Sequence, residues 1–180
     1  MRELFKILPS AISKEQISKI LEISTKKPMS DASIFSTYRP MQKIRSSKIC
    51  WITDEWVNEL LWNYVKSANE LNFHVNVDNN SEIQFTEYRS EENGHYDWHH
   101  DVNWSSENNF ARKISVTVQL SDENEYEGGN FEFDEIKTNI NFKSQGTILI
   151  FPSYLRHKVT PVKSGIRRSL VAWFFGPNWK

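Results

Sequence analysis

The sequence predicts a mainly β protein, a jelly roll or β-barrel buttressed by N-terminal helices. Three observations carry this. Two stretches of helical periodicity come first in the chain. From Glu82 onward the pattern changes to strict alternation punctuated by Gly and Pro. Thr147 to Phe151 is an unbroken apolar run, as expected of a strand buried on both faces.

Taken in order, Leu4 to Leu8 reads as a short strand stopped by Pro9. Ser13, with Gln16 three residues later, forms a capping box and predicts a helix over Lys14–Thr25 with Ile17, Ile20, Leu21 and Ile23 on its apolar face. Lys26 to Lys48 carries Pro28 and Pro40, shows no sustained period and reads as a long loop. Its charges lean positive, with Arg39, Lys43 and Arg45 among them, and long ordered loops often cover sites. Cys50 to Ile52 is a short buried segment. Asp54 caps a second helix whose stripe is Trp56, Leu60, Leu61, Tyr64 and Ala68. Strands follow at Glu82–Tyr88, Lys113–Leu120, after a Gly128-Gly129 turn at Phe131–Phe133, and at Arg167–Phe175. In the last strand Arg167, Ser169, Val171 and Trp173 share a face. Pro161 to Gly165 reads as a hairpin turn about residue 162 that brings His157 opposite Arg167.

The formal charge of -1 argues against a nucleic-acid partner, and no run approaches the roughly 18 apolar residues of a membrane span. A lone cysteine and a start without signal-peptide features predict a cytoplasmic protein. A single domain over 1–180 is expected, with 1–80 as helical support and loop and 81–180 as the core carrying a metal site. No accessory domain is expected after Lys180.

The chemistry gathers in Tyr88 to Asp101. In a strand, His99 and Asp101 project to one face, and His157 is the best third partner. Two histidines and a carboxylate form the facial triad of non-haem iron oxygenases. His-x-Asp alone is cheap, since His95-Tyr96-Asp97 also fits. His100 reads as surface or supporting, and His74 as structural.

Further spacing resembles the iron(II)/2-oxoglutarate dioxygenases of the prolyl/lysyl-hydroxylase type, which include prolyl 4-hydroxylases and bacterial and phage relatives. Tyr88, His99-x-Asp101, Gly128-Gly129, Phe151-Pro152, His157 and Gly165-x-Arg167 occur in that family's order, with Tyr96 and Trp173 in matching places. The match runs from about residue 82 to the C-terminus and selects His99 over His95. It implies a double-stranded β-helix (jelly roll) in which His99, Asp101 and His157 hold Fe(II). Arg167 and Tyr88 would bind the distal carboxylate of the cosubstrate 2-oxoglutarate, and Tyr96, Thr117, Gln119 and Trp173 would wall the cavity. No protein acid or base beyond the ligands is implied.

The implied reaction consumes O2, releases succinate and CO2, and hydroxylates an amino-acid side chain, foremost peptidyl proline. Ascorbate dependence is implied by the resemblance alone. Hydroxylation of a free amino acid or other small molecule, or a silent jelly-roll binding module, are the alternatives. Asp101 argues against a halogenase, and Trp173 stands where nucleic-acid demethylases carry a second arginine. The loops Lys26–Lys48 and Trp104–Asn109 are the expected cover, and the positive lean of the first hints at an acidic substrate or peptide.

Overall fold

The computed structural model describes residues 4–32, 44–102, 104, 109–137 and 141–179. The first helix, α1 (Lys14–Thr25), starts at the predicted capping box: Gln16 N–H donates to Ser13 Oγ and Ser13 N–H to Gln16 Oε1. The second, α2 (Glu55–Ala68), begins after Asp54, whose side chain makes no capping hydrogen bond. Its buried face is Val57, Leu61, Val65 and Ala68, rotated from the predicted stripe. Trp56, Leu60 and Tyr64 flank that face, partly buried against the same core. A π-helical turn, Asn69–Phe73, closes at His74, which is exposed with φ 55° and is not the structural histidine expected.

The strands are β1 (Lys6–Leu8), β2 (Ser30–Asp31), β3 (Arg45–Ser46), β4 (Lys48–Ile52), β5 (Ser81–Arg89), β6 (His95–His99), β7 (Phe110–Gln119), β8 (Tyr126–Gly128), β9 (Phe131–Phe133), β10 (Ile148–Pro152), β11 (His157–Val159) and β12 (Val162–Pro177). Among the described residues they form an eight-stranded sheet ordered β1-β10-β7-β12-β5-β4-β2, with β8 on β12, and a four-stranded sheet ordered β3-β6-β11-β9. Among the described residues every strand pairing is antiparallel and neither sheet closes on itself, so the architecture is a helix-buttressed jelly roll. The described residues of the N-terminal part therefore supply four strands as well as the helices. Part of the loop predicted over Lys26–Lys48 is strand, and residues 33–43 of it lie outside the described residues.

The large sheet divides the molecule. Ile83 and Phe85 of β5, Ile114, Val116 and Val118 of β7, and Leu170, Ala172 and Phe174 of β12 pack with Ile17, Ile20, Val57, Leu61 and Val65 of the helices. Each fully buried aliphatic side chain contributes about 1.5–3 kcal/mol. The opposite face, which includes Arg167 and Ser169, looks toward the four-stranded sheet. None of the described helices is long and apolar enough to cross a membrane.

Two pairings differ from expectation. β11 pairs with β6 and β9, whereas β12 pairs with β5, β7 and β8, so His157 and Arg167 are not hairpin neighbours. The chain crosses between sheets at Thr160-Pro161, and Gly165, with φ 72°, lies within β12 rather than ending a turn. β8 and β9, either side of Gly128-Gly129, likewise join different sheets.

Candidate metal centre and cosubstrate pocket

β6 ends at His99, and Asp101 lies just beyond it in a bend, not in one strand with His99. The bend is held by Asp101 N–H donating to Ser153 O at 3.0 Å. Across the sheet His157 pairs directly with His99. His99 Nε2 lies 3.6 Å from Asp101 Oδ1, and His157 Nε2 lies 3.6 Å from Asp101 Oδ2. One ligand atom from each residue falls within 4.8 Å of the other two.

Both imidazoles are oriented from behind. His99 Nδ1–H donates to Asp97 O at 2.7 Å and His157 Nδ1–H to Leu155 O at 2.9 Å. A carbonyl only accepts, so each Nε2 lone pair is left free toward Asp101. Burial, then His99 nearby, pushes the His157 imidazole down to about 4 despite Asp101, keeping it neutral. Burial would raise the Asp101 carboxyl, but His157, His99 and a 2.6 Å hydrogen bond from Ser115 Oγ hold it well below the usual carboxylate range. Two imidazole nitrogens and one anionic oxygen, spaced for bonds of about 2.0–2.2 Å, suit a borderline divalent ion and leave coordination positions open.

Arg167 enters the same cavity from β12. It pairs across the sheet with Tyr88, its guanidinium lies 5.5 Å from that ring's centroid, and it hydrogen-bonds Tyr126 and, at 3.3 Å, Ser169 Oγ. It is buried, yet among the described residues it has no carboxylate partner. A buried guanidinium served only by neutral groups has unspent charge and donors of the kind that pair with an anion. Tyr88, Tyr96, Thr117 and Trp173 line the cavity with the triad and Arg167. Tyr96 stacks on His99 with centroids 3.4 Å apart, and burial pushes its phenol up to about 12. Gln119 instead bonds Tyr126 OH and lines a polar cavity of about 280 Å³ that Arg167 also borders.

The remaining histidines lie apart from the triad. His95 Nδ1 bonds Asn93 O, and His100 is exposed with Nδ1 on Tyr154 O. Asp97 of the decoy pair contributes its carbonyl to orient His99. Ser115 and Ser169 share strand faces with Thr117 and Arg167, so alternation already signalled them. Tyr126 and Arg45 carried no such signal. Residues 105–108 of the second expected cover lie outside the described residues.

A family model described as the 2OG-Fe(II) oxygenase superfamily matches residues 83–175. A PKHD-type hydroxylase of Synechococcus sp. (strain CC9311) is 41% identical over 86 residues, 47% of this chain but only 38% of the relative's length. The viral collagen prolyl hydroxylase of Paramecium bursaria Chlorella virus-1, solved as its 2OG complex, superposes with TM-score 0.72 at 18% identity over 97% of each chain. A Trichoplax adhaerens prolyl hydroxylase, solved with a hypoxia inducible factor oxygen degradation domain peptide, gives TM-score 0.75 at 16% identity, covering 96% of this chain and 84% of that one. At these identities the structural likeness concerns the fold.

Proposed function

The chain belongs to the 2OG-Fe(II) oxygenase superfamily, and from that premise we propose that it is an iron(II)- and 2-oxoglutarate-dependent hydroxylase of an amino-acid side chain, foremost peptidyl proline. One observation carries the reading. The His99, Asp101 and His157 donors converge in the cavity that also holds Arg167, a buried cation without a carboxylate of its own among the described residues. When bound, iron(II) with 2-oxoglutarate and O2 supplies the oxidising power that hydroxylates a C–H bond and releases succinate and CO2.

The chain's residues hold and orient. His99, Asp101 and His157 take one face of the metal, their geometry set by the Asp97 and Leu155 carbonyls and by Ser115. Arg167 receives the distal carboxylate with Tyr88 beside it, its fork held by Tyr126 and Ser169. Phe131, Phe151 and Val159 wall the cavity and exclude water. Substrate choice toward proline is supported by the curated relatives' hydroxylase names and by the prolyl hydroxylases that share the fold. We read residues 1–180 as one domain built round this centre, and the single cysteine suits a cytoplasmic setting.

Anaerobic titration of metal-free protein with Fe(II) and 2-oxoglutarate tests the proposal. A visible charge-transfer band is expected. It should vanish, together with succinate release, in His99→Ala, Asp101→Ala and His157→Ala, and Arg167→Ala should weaken 2-oxoglutarate binding by at least about tenfold. Folded wild-type protein that gives no band overturns the proposal and leaves a binding module.

A further inference from the structure

A second arginine lines the metal cavity. Arg45 comes from β3, where it pairs with Tyr96 of β6, and the residue is only 8% exposed. Nε donates to Ser47 Oγ at 2.9 Å and one terminal nitrogen to Gln84 Oε1 at 2.8 Å. Its guanidinium carbon lies 4.5 Å from the centroid of Tyr96, the ring stacked on His99. Like Arg167, Arg45 has no carboxylate partner among the described residues. Three of its five N–H donors have no hydrogen-bond acceptor among them.

The charge balance then points to a guest. Two guanidinium groups and one aspartate line the cavity, a formal excess of one positive charge. A divalent ion raises the excess to three, and the 2-oxoglutarate dianion lowers it to one. Buried charge is costly unless paired, and Arg167 is the group proposed to take the cosubstrate. The remaining cation is Arg45, beside the ring that covers His99. The indole N–H of Trp173, a residue that lines the same cavity, is likewise buried with no hydrogen-bond partner among the described residues.

We infer that Arg45 is a specificity-determining residue that binds a carboxylate carried by the hydroxylated substrate close to the reacting carbon. Ser47 and Gln84 fix its plane from one side, so its free edge can meet a carboxylate bidentately. The carboxylate belongs either to an acidic side chain adjoining the hydroxylated residue or to the α-carboxylate of a free amino acid or chain end. The inference rests on the oxygenase reading.

The test measures binding, not turnover. Protein loaded with Zn(II) and 2-oxoglutarate is titrated calorimetrically with two pairs of probes: N-acetyl-Pro-Glu-amide against N-acetyl-Pro-Gln-amide, and L-proline against L-prolinamide. In at least one pair the carboxylate member should bind about tenfold or more tightly, and Arg45→Gln should abolish the difference. Preference within the first pair identifies an acidic side chain, and within the second an α-carboxylate. No preference in wild type, no binding by any probe, or a preference that survives in folded Arg45→Gln overturns the inference. Should Arg45→Gln fail to fold, Arg45→Lys replaces it: the retained charge should keep a reduced preference, and an undiminished one counts against a bidentate Arg45. The charge-transfer band of wild type with Fe(II) and 2-oxoglutarate is measured separately. Its absence removes the oxygenase reading itself, whereas its presence with no carboxylate preference removes only the role of Arg45.

Discussion

Ser115 shows how a single hydroxyl contributes to the centre. Its Oγ donates to Asp101 Oδ2 at 2.6 Å and lies 2.9 Å from Ser153 Oγ. A buried carboxylate ligand that loses such a donor is less well oriented, and groups in this supporting position typically carry about 10–100-fold in metal affinity. Ser115→Ala is therefore expected to weaken Fe(II) binding by that factor, measured by chelator competition, with the fold intact. Unchanged affinity would mean that Asp101 is positioned by its backbone bond to Ser153 alone. At this scale the sequence was informative wherever residue type and alternation coincide. Arg167 was placed on its face by strand period alone, and Ser115 and Ser169 were equally visible there. Arg45 was not, because two residues of strand between aperiodic segments leave no pattern to read.

β12 organises the elements. Its sixteen residues pair with β5, β7 and β8, placing Arg167 and Trp173 on the cavity face and Leu170 and Phe174 on the helix face. Near its start the register shifts and Gly165 adopts φ 72°, with an added Cβ falling 2.0 Å from Glu125 O. Neither the conformation nor the space admits a side chain. Gly165→Ala should lower the denaturant midpoint by the equivalent of more than about 1 kcal/mol. Ser164→Ala, at an exposed neighbour, should stay within about 0.5 kcal/mol of wild type. Equal effects of the two would show that the β8 contact yields. The sequence identified glycine here correctly but read it as ending a turn, because Pro161 and Gly165 punctuate hairpins and sheet crossings alike.

For the molecule as a whole, the buried triad couples stability to pH. His157 titrates at about 4 in the folded chain against an ordinary 6.5, so between these values the unfolded chain binds more protons. Stability of the metal-free protein should therefore fall as pH drops from about 6.5 to about 4. Asp101, held below its ordinary 3.8, contributes stability present above that value and lost on further acidification. Urea midpoints of metal-free protein across pH 7 to 4 check this. A flat profile would mean that His157 is not buried neutral in solution. Divalent metal should raise the midpoint with the logarithm of its concentration relative to its dissociation constant.

By itself the sequence determined what depends on local periodicity and residue chemistry: the capped first helix, the run of alternating strands, the faces of the last strand and the residue types of the triad. Side-chain direction follows from backbone period, and metal affinity from ligand type, so neither needs distant contacts. Only the tertiary structure decided that β11 and β12 belong to different sheets and that Asp101 lies past its strand in a bend pinned by Ser153. It also decided that the rotated face of α2 is the buried one and that Arg45 joins Arg167 in one cavity. Those outcomes depend on pairing between segments far apart in the chain, whose energies come from burial and hydrogen bonding across sheets and leave no trace in local order.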